Sequence, residues 1–137
     1  MLELAKYQGK GPLKISEIAK AQAIPLRFLE VILNQLKGSG FIESKRGYHG
    51  GYTLVRPADE ISVGDVLRFM LGDDDWVHRI SCNSKKECPF KCDCAFVPLW
   101  KKVNDAMFEI YDTTTLKDLI ENEKRIRRKH RAERGYQ

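Results

Sequence analysis

Ala23-Ile24-Pro25 leaves room for only a tight corner between two short amphipathic stretches, and that corner limits the folds open to the chain. After it, the spacing predicts a helix over Leu26 to Lys37, with Leu29, Ile32, Leu33 and Leu36 recurring on one buried face. Arg27, Glu30, Val31 and Asn34 fall on the opposite face. A guanidinium, a carboxylate and an amide are the groups that hydrogen-bond to base edges, although a solvated helix face can use the same residues. Before the corner, Ser16 is expected to cap a helix whose first turn holds Glu17, with Ile15 as a hydrophobic staple. Ile18, Ala19 and Ala21 are its close-packing positions, and Pro25 suits the first position of the next helix.

Gly38 and Gly40 end the second helix, and Phe41-Ile42-Glu43-Ser44 begins a strand. Lys45-Arg46-Gly47-Tyr48-His49-Gly50-Gly51 is too basic and too rich in glycine for a core turn, and Tyr52-Thr53-Leu54-Val55 returns as the partner strand. Two helices around a tight turn, then a basic hairpin, are the plan of a winged helix-turn-helix. The hairpin tip fits phosphates or a minor groove; the competing reading is a merely flexible loop.

The rest of the chain extends that plan. Met1 to Gln8 reads as a helix end broken by Gly9-Lys10-Gly11-Pro12. Arg56 to Glu60 connects to a helix capped by Ser62 and Asp65, with Val63, Val66, Leu67 and Met70 on its apolar face and Gly72 at its end. Asp73-Asp74-Asp75 reads as a solvated turn. Phe96 to Tyr111 carries a broad apolar stripe, expected to form a dimerisation helix, with packing inside the domain as the alternative. Thr115 with Asp118 should cap a short helix through Leu119 and Ile120, followed by a charged tail that reads as disordered or as a solvated helix, with non-specific DNA affinity at most. The expected division is a winged domain over 1–72, a cysteine-rich loop over 73–95, the dimerisation and short helices over 96–121, and a basic tail over 122–137.

Charge follows the same division. Residues 1–54 hold eight Lys and Arg against four acids, 55–120 nine against twelve, and 121–137 seven against three, so a net +5 is carried by the two ends of the 137 residues. Basic ends suit a polyanion. No apolar run approaches the ~20 residues that span a bilayer, and the N-terminus lacks the order of a signal peptide, so a cytoplasmic protein with no membrane association is expected.

In a reducing compartment, Cys82, Cys88, Cys92 and Cys94 are metal ligands or redox sensors rather than a disulfide framework. Four thiols within thirteen residues can converge on zinc, copper(I) or an iron-sulfur cluster. Their C-x5-C-x3-C-x-C spacing lacks the C-x2-C knuckles of a zinc ribbon, and Lys85, Lys86 and Lys91 would lower the thiol pKa values. Redox-active or incidental thiols are the alternative. His49, His78 and His130 fall in separate segments without the spacing of a catalytic set, which argues against an enzyme.

These motifs together resemble the Rrf-two family of bacterial winged-helix regulators, which includes IscR, NsrR and CymR types. The resemblance rests on Ser16-Glu17-Ile18-Ala19, Phe28-Leu29-Glu30, Arg46-Gly47 with Gly50-Gly51-Tyr52, Ile61 to Val66, Pro98-Leu99-Trp100, and Thr114 to Leu119. It implies a homodimer with crossed long helices that presents two winged domains to a pseudo-palindromic double-stranded DNA operator. Carried over by position, Arg27, Glu30 and Arg46 read bases, and Asn34, Lys45, Tyr48 and His49 complete the DNA surface.

Cluster-binding members resemble C-x5-C-x5-C, the register of Cys82, Cys88 and Cys94, which leaves Cys92 as an extra thiol. The IscR-type fourth ligand, a histidine, corresponds to Val97, and the NsrR-type ligand lies at the beginning of a first helix that Met1 enters partway. The fourth bond stays open among Cys92, a small molecule and an N-terminal segment. The resemblance therefore implies a regulator switched by a two-iron or four-iron cluster, of a kind that aerobic purification removes. The alternatives are a cluster-free regulator responding to a metabolite, a partner protein or thiol oxidation, and a zinc-stabilised or thiol-active module that does not read DNA.

Overall fold

Leu4, Leu33 and Ile61 come from three separate segments and are the most deeply buried large side chains, so the core forms where those segments cross. The computed structural model describes residues 1–72 and 94–134. In them run α1 (Leu2–Lys6), α2 (Ile15–Gln22), α3 (Leu26–Lys37), β1 (Ile42–Lys45), β2 (Gly51–Leu54), α4 (Val63–Leu71), α5 (Val97–Thr113) and α6 (Leu116–Arg134). The architecture is the expected one, mainly helical with a small hairpin wing. β1 and β2 pair antiparallel, with Ile42 opposite Leu54 and Lys45 opposite Gly51.

Periodicity accounts for the packing. Leu29, Leu33 and Leu36 of α3 are buried, Ile32 is half-buried beside them, and Ile18 and Ala19 of α2 close the corner. Ala23 takes a left-handed φ of +51°, which the tight turn requires and which a residue with a small side chain tolerates most readily. Helix starts differ from expectation by one or two residues. α2 begins at Ile15, and the Glu17 carboxylate accepts from the N–H of the residue before the helix, Lys14, at 2.9 Å. Ser16 therefore lies inside the first turn rather than at the cap, and Ile15 is the first helical residue rather than a staple. Pro25 is the cap residue of α3, with Leu26 as its first helical residue. The Ser62–Asp65 box is as expected, each backbone N–H meeting the other's side chain at 2.9–3.0 Å.

The largest departure is α6. It runs 19 residues rather than ending near Ile120, and it carries the basic stretch as helix to Arg134. Its start belongs to the winged domain: the Leu116 N–H donates to the Ile61 carbonyl at 3.0 Å, the Val63 N–H to the Thr114 carbonyl at 2.8 Å, and Leu116 is buried in the same core. Lys6 of α1 ties to Glu123 and holds that carboxyl below its ordinary range by hydrogen bonding.

α4 and α5 are joined by a bidentate Arg68–Asp112 pair, both bonds 2.6 Å, with the Arg68 guanidinium also 4.6 Å above the Phe108 ring. Both partners of the pair are about two-fifths exposed, 38% and 41%, so it adds no more than about 1 kcal/mol. Burying Ile61 is worth about 1.5–3 kcal/mol. The pair thus sets the angle between helices that the core holds together. Gly64 lets them approach: a β-carbon there would collide with the Asp112 carboxylate.

Candidate nucleic-acid interface

α3 presents its outer face to solvent. Arg27, Glu30, Val31 and Asn34 are exposed, and Phe28 adds an exposed ring beside them. Among the described residues, none of the Arg27, Glu30 and Asn34 side chains engages another protein group, so their hydrogen-bonding capacity is unspent. A merely solvated helix would accept any polar residue there; donors and acceptors suited to base edges, together with an exposed aromatic ring, are a narrower set.

The wing is fastened from the opposite edge by Leu13. Its N–H and carbonyl exchange hydrogen bonds with Tyr52, both 2.9 Å. This third, single-residue strand requires glycine at 51, because a β-carbon there would lie 2.5 Å from the Leu13 carbonyl oxygen. The loop is therefore anchored at its base and free at its tip. Arg46 and Lys45 are exposed on it, and Tyr48 is 85% exposed with its ring edge-on to His49.

The structure brings in residues that sequence patterning missed. Lys14, Ser16, Lys37, Ser44, Lys45, Arg46 and Tyr48 line one cleft of about 490 Å³ between the start of α2, the end of α3 and the wing. Lys14 stands 5.3 Å over the Tyr48 ring and Lys37 5.4 Å over Tyr52. The amide-rich start of α2 faces the same cleft, and four cations there with no carboxylate in the lining suit an anion. Lys14 and Lys37 lie outside the hairpin in sequence; only the Leu13–Tyr52 pairing and the α3 crossing bring them beside it. Asn34 and Arg27 do not line this cleft, so the candidate surface has two parts, the α3 face and the wing cleft.

Comparison with known proteins now decides the family. A family model described as Rrf2, iron-dependent transcriptional regulator, matches residues 1–122. The chain belongs to the Rrf2 family. The HTH-type transcriptional regulator IscR of Sodalis glossinidius (strain morsitans) is 34% identical over 123 residues, 90% of this chain and 73% of that protein. CymR of Bacillus subtilis (strain 168) is 35% identical over 119 residues, 87% of this chain and 80% of its own length. The solved structure of T. potens IscR superposes with a TM-score of 0.71 at 29% identity, over 89% of this chain and 78% of that one. These Rrf2 relatives are transcriptional regulators and not enzymes, and the present chain is a DNA-binding transcriptional regulator of the IscR and CymR kind.

Two further features of this Rrf2 chain bear on regulation and assembly. Cys94 is half-buried immediately before α5, where its carbonyl accepts from the Val97 N–H at 3.2 Å. Cys82, Cys88, Cys92 and His78 lie outside the described residues, as do Asp73 to Asp75; among the described residues no three His, Cys, Asp or Glu side chains gather to hold a metal ion. Along α5, Val97, Leu99, Val103 and Ile110 remain exposed, Ile110 by 65%, while Asn104 is turned inward. No described helix is long and apolar enough to cross a membrane.

Proposed function

We propose that the protein acts as a homodimer on a pseudo-palindromic operator, reading bases with Arg27, Glu30 and Asn34 of α3 and with Arg46 of the wing. Lys45, Tyr48 and His49, with Lys14 and Lys37, hold the flanking backbone. The observation that carries this reading is the pairing of an unspent polar face on α3 with a cationic cleft at the wing. Phosphate contacts fix register, and base contacts then supply discrimination. Two copies are supported by the exposed stripe Phe96, Leu99, Val103 and Ile110, which a second α5 would cover.

DNA affinity is set, in this proposal, by an iron-sulfur cluster on Cys82, Cys88 and Cys94, with Cys92 available as a further thiolate. Four thiols in thirteen residues, with Lys85, Lys86 and Lys91 interspersed to favour the thiolate form, fit such a group. When bound, the group supplies a centre that responds to redox state, nitric oxide or iron supply. The chain's own part is mechanical. Cys94 is hydrogen-bonded to the first turn of α5, α5 is pinned to α4 through Asp112 and Arg68, and the residues preceding α4 pair with those preceding α6. A change in the loop thus reaches the winged domain through packed helices.

A cluster-free regulator sensing a metabolite, a partner protein or thiol oxidation is the second reading, favoured by Val97 standing where IscR-type members carry histidine and by an identity to CymR as high as that to IscR. The visible spectrum of anaerobically purified protein, with iron, sulfide and zinc quantified on the same sample, separates these. Broad visible absorption with stoichiometric iron and sulfide is expected. A colourless, metal-free protein with intact thiols would transfer the assignment to the cluster-free reading, and zinc alone would make the site structural.

A further inference from the structure

The charge of the C-terminal end is not a diffuse cloud, because a helix sorts it. α6 is continuous to Arg134 and exposed throughout from Lys124, and from there it carries seven Lys and Arg against the single acid Glu133, a net +6. At about 100° per residue, Arg125, Arg128 and Lys129 fall on the side opposite Leu116, Leu119 and Ile120, which seat α6 on the core, and Lys124 lies on the flank that joins the two sides. Upstream the same outer side is mixed, with Lys117, Asp118 and Glu121; from Lys124 to Arg131 it holds no acid.

Within this outer row, Lys124 and Arg128, like Arg125 and Lys129, are like charges one turn apart, an arrangement that works against a helix in water. Among the described residues no carboxylate pairs with any of the four, and Arg125 meets only the Asn122 amide, at 3.1 Å. The family match ends at residue 122, just before the row begins. An ordered row of unneutralised cations suits a polyanion, whose presence would relieve the repulsion.

We propose that the end of α6 is an arm that binds the phosphate backbone of duplex DNA outside the bases read by α3 and the wing. The inference rests on the DNA-binding reading under Proposed function. A winged domain already docked on a duplex turns phosphate capture by the arm into an intramolecular step at high effective concentration. The outer row holds no amide or carboxylate to tell one base from another, so it adds affinity without sequence preference. With Ile126 as its one strongly apolar residue, the arm lacks the apolar face that seats a helix in a lipid surface.

The test compares the unaltered protein with a variant carrying Lys124→Gln, Arg125→Gln, Arg128→Gln and Lys129→Gln on a mixed-sequence duplex several helical turns long, titrated between about 50 and 200 mM salt. The slope of log affinity against log salt should fall by about three to four units, since each phosphate contributes about 0.9, with duplex binding at least about tenfold weaker. A chain ending at Glu123 should behave alike, and circular dichroism of both variants checks that the core remains folded. Unchanged slopes in both variants, with the unaltered protein binding normally, would overturn the arm while leaving the winged-domain reading intact. A loss confined to vesicles of anionic phospholipid would equally overturn it. Absence of salt-dependent duplex binding by the unaltered protein would remove both readings together.

Discussion

Arg46 and Gly51 have different expected roles in one hairpin under the proposed DNA-binding reading. Arg46 is exposed at the tip, and its expected task is a base contact; Arg46→Ala should cost about 1–3 kcal/mol of operator binding and relax discrimination at one position. Lys45→Ala should instead weaken all sequences alike and lower the salt slope by about one unit. Titrations against operator and scrambled duplex distinguish these outcomes, and equal losses on both for Arg46→Ala would reassign it to phosphate. Gly51 touches no DNA in this scheme. A methyl there has nowhere to go, because it meets the Leu13 backbone and not a side chain that could swing away. Gly51→Ala should therefore detach the wing from Leu13 and abolish binding, while the helical circular-dichroism signal stays close to that of the parent. The dipeptide Gly50-Gly51 was legible as a turn; that Gly51 is needed for close approach of a third strand was not, since Leu13 is 38 residues away in sequence.

Among the elements, those with one strong period were legible and those whose length depends on neighbours were not. α3 has the bounds that its leucines and terminal glycine indicate, and α4 has its capping box and terminal Gly72. α6 was read as short because its apolar positions stop at Ile120, but helix formation needs no apolar face once a buried first turn nucleates it. Leu116, the Ile61 pairing and the Lys6–Glu123 contact supply that start, and residues with good helix propensity continue it. The exposed polar face of α3 can be named from pattern alone, whereas the placement of Lys14 and Lys37 beside the wing needs the fold. α5 divides its face: Asn104 and Phe108 turn toward the domain, and Leu99, Val103 and Ile110 turn out. Ile110→Glu should convert dimer to monomer in sedimentation equilibrium and leave the fold intact; a variant that stays dimeric would show that α5 is not the interface. The α4–α5 pair gives a pH signature as well. The Arg68 guanidinium, by hydrogen bonding, holds the Asp112 carboxyl below its ordinary value of 3.8, so the native state favours the ionised form. Its contribution is complete above that value and is lost as pH falls below it. Asp112→Asn should lower stability at neutral pH slightly and flatten the acid limb of the unfolding curve, measured by denaturant titration at several pH values.

At the scale of the whole molecule, the two ends of the proposed regulatory path are joined by a single helix. Cys94 lies three residues before α5 and Asp112 near its end, with sixteen helical positions from Val97 through Asp112 carrying any tilt from one to the other. A rigid rod of this kind transmits a change only if its far end is clamped, and the Arg68–Asp112 pair with the Phe108 stack is that clamp. The core would survive loss of the clamp, because Ile61, Leu116 and Leu33 are buried without it. Arg68→Ala should therefore separate sensing from stability. In the unaltered protein, loading the cysteine loop is expected to change operator affinity by about 5- to 150-fold, the usual span of a coupling of about 1–3 kcal/mol. In Arg68→Ala the loop should still load, with the same visible spectrum and iron content, while the affinities of loaded and unloaded protein converge. Anaerobic titrations of both forms measure this directly. A ratio that survives Arg68→Ala in full would show that the signal reaches DNA by another route, through the dimer contact of α5 rather than through α4.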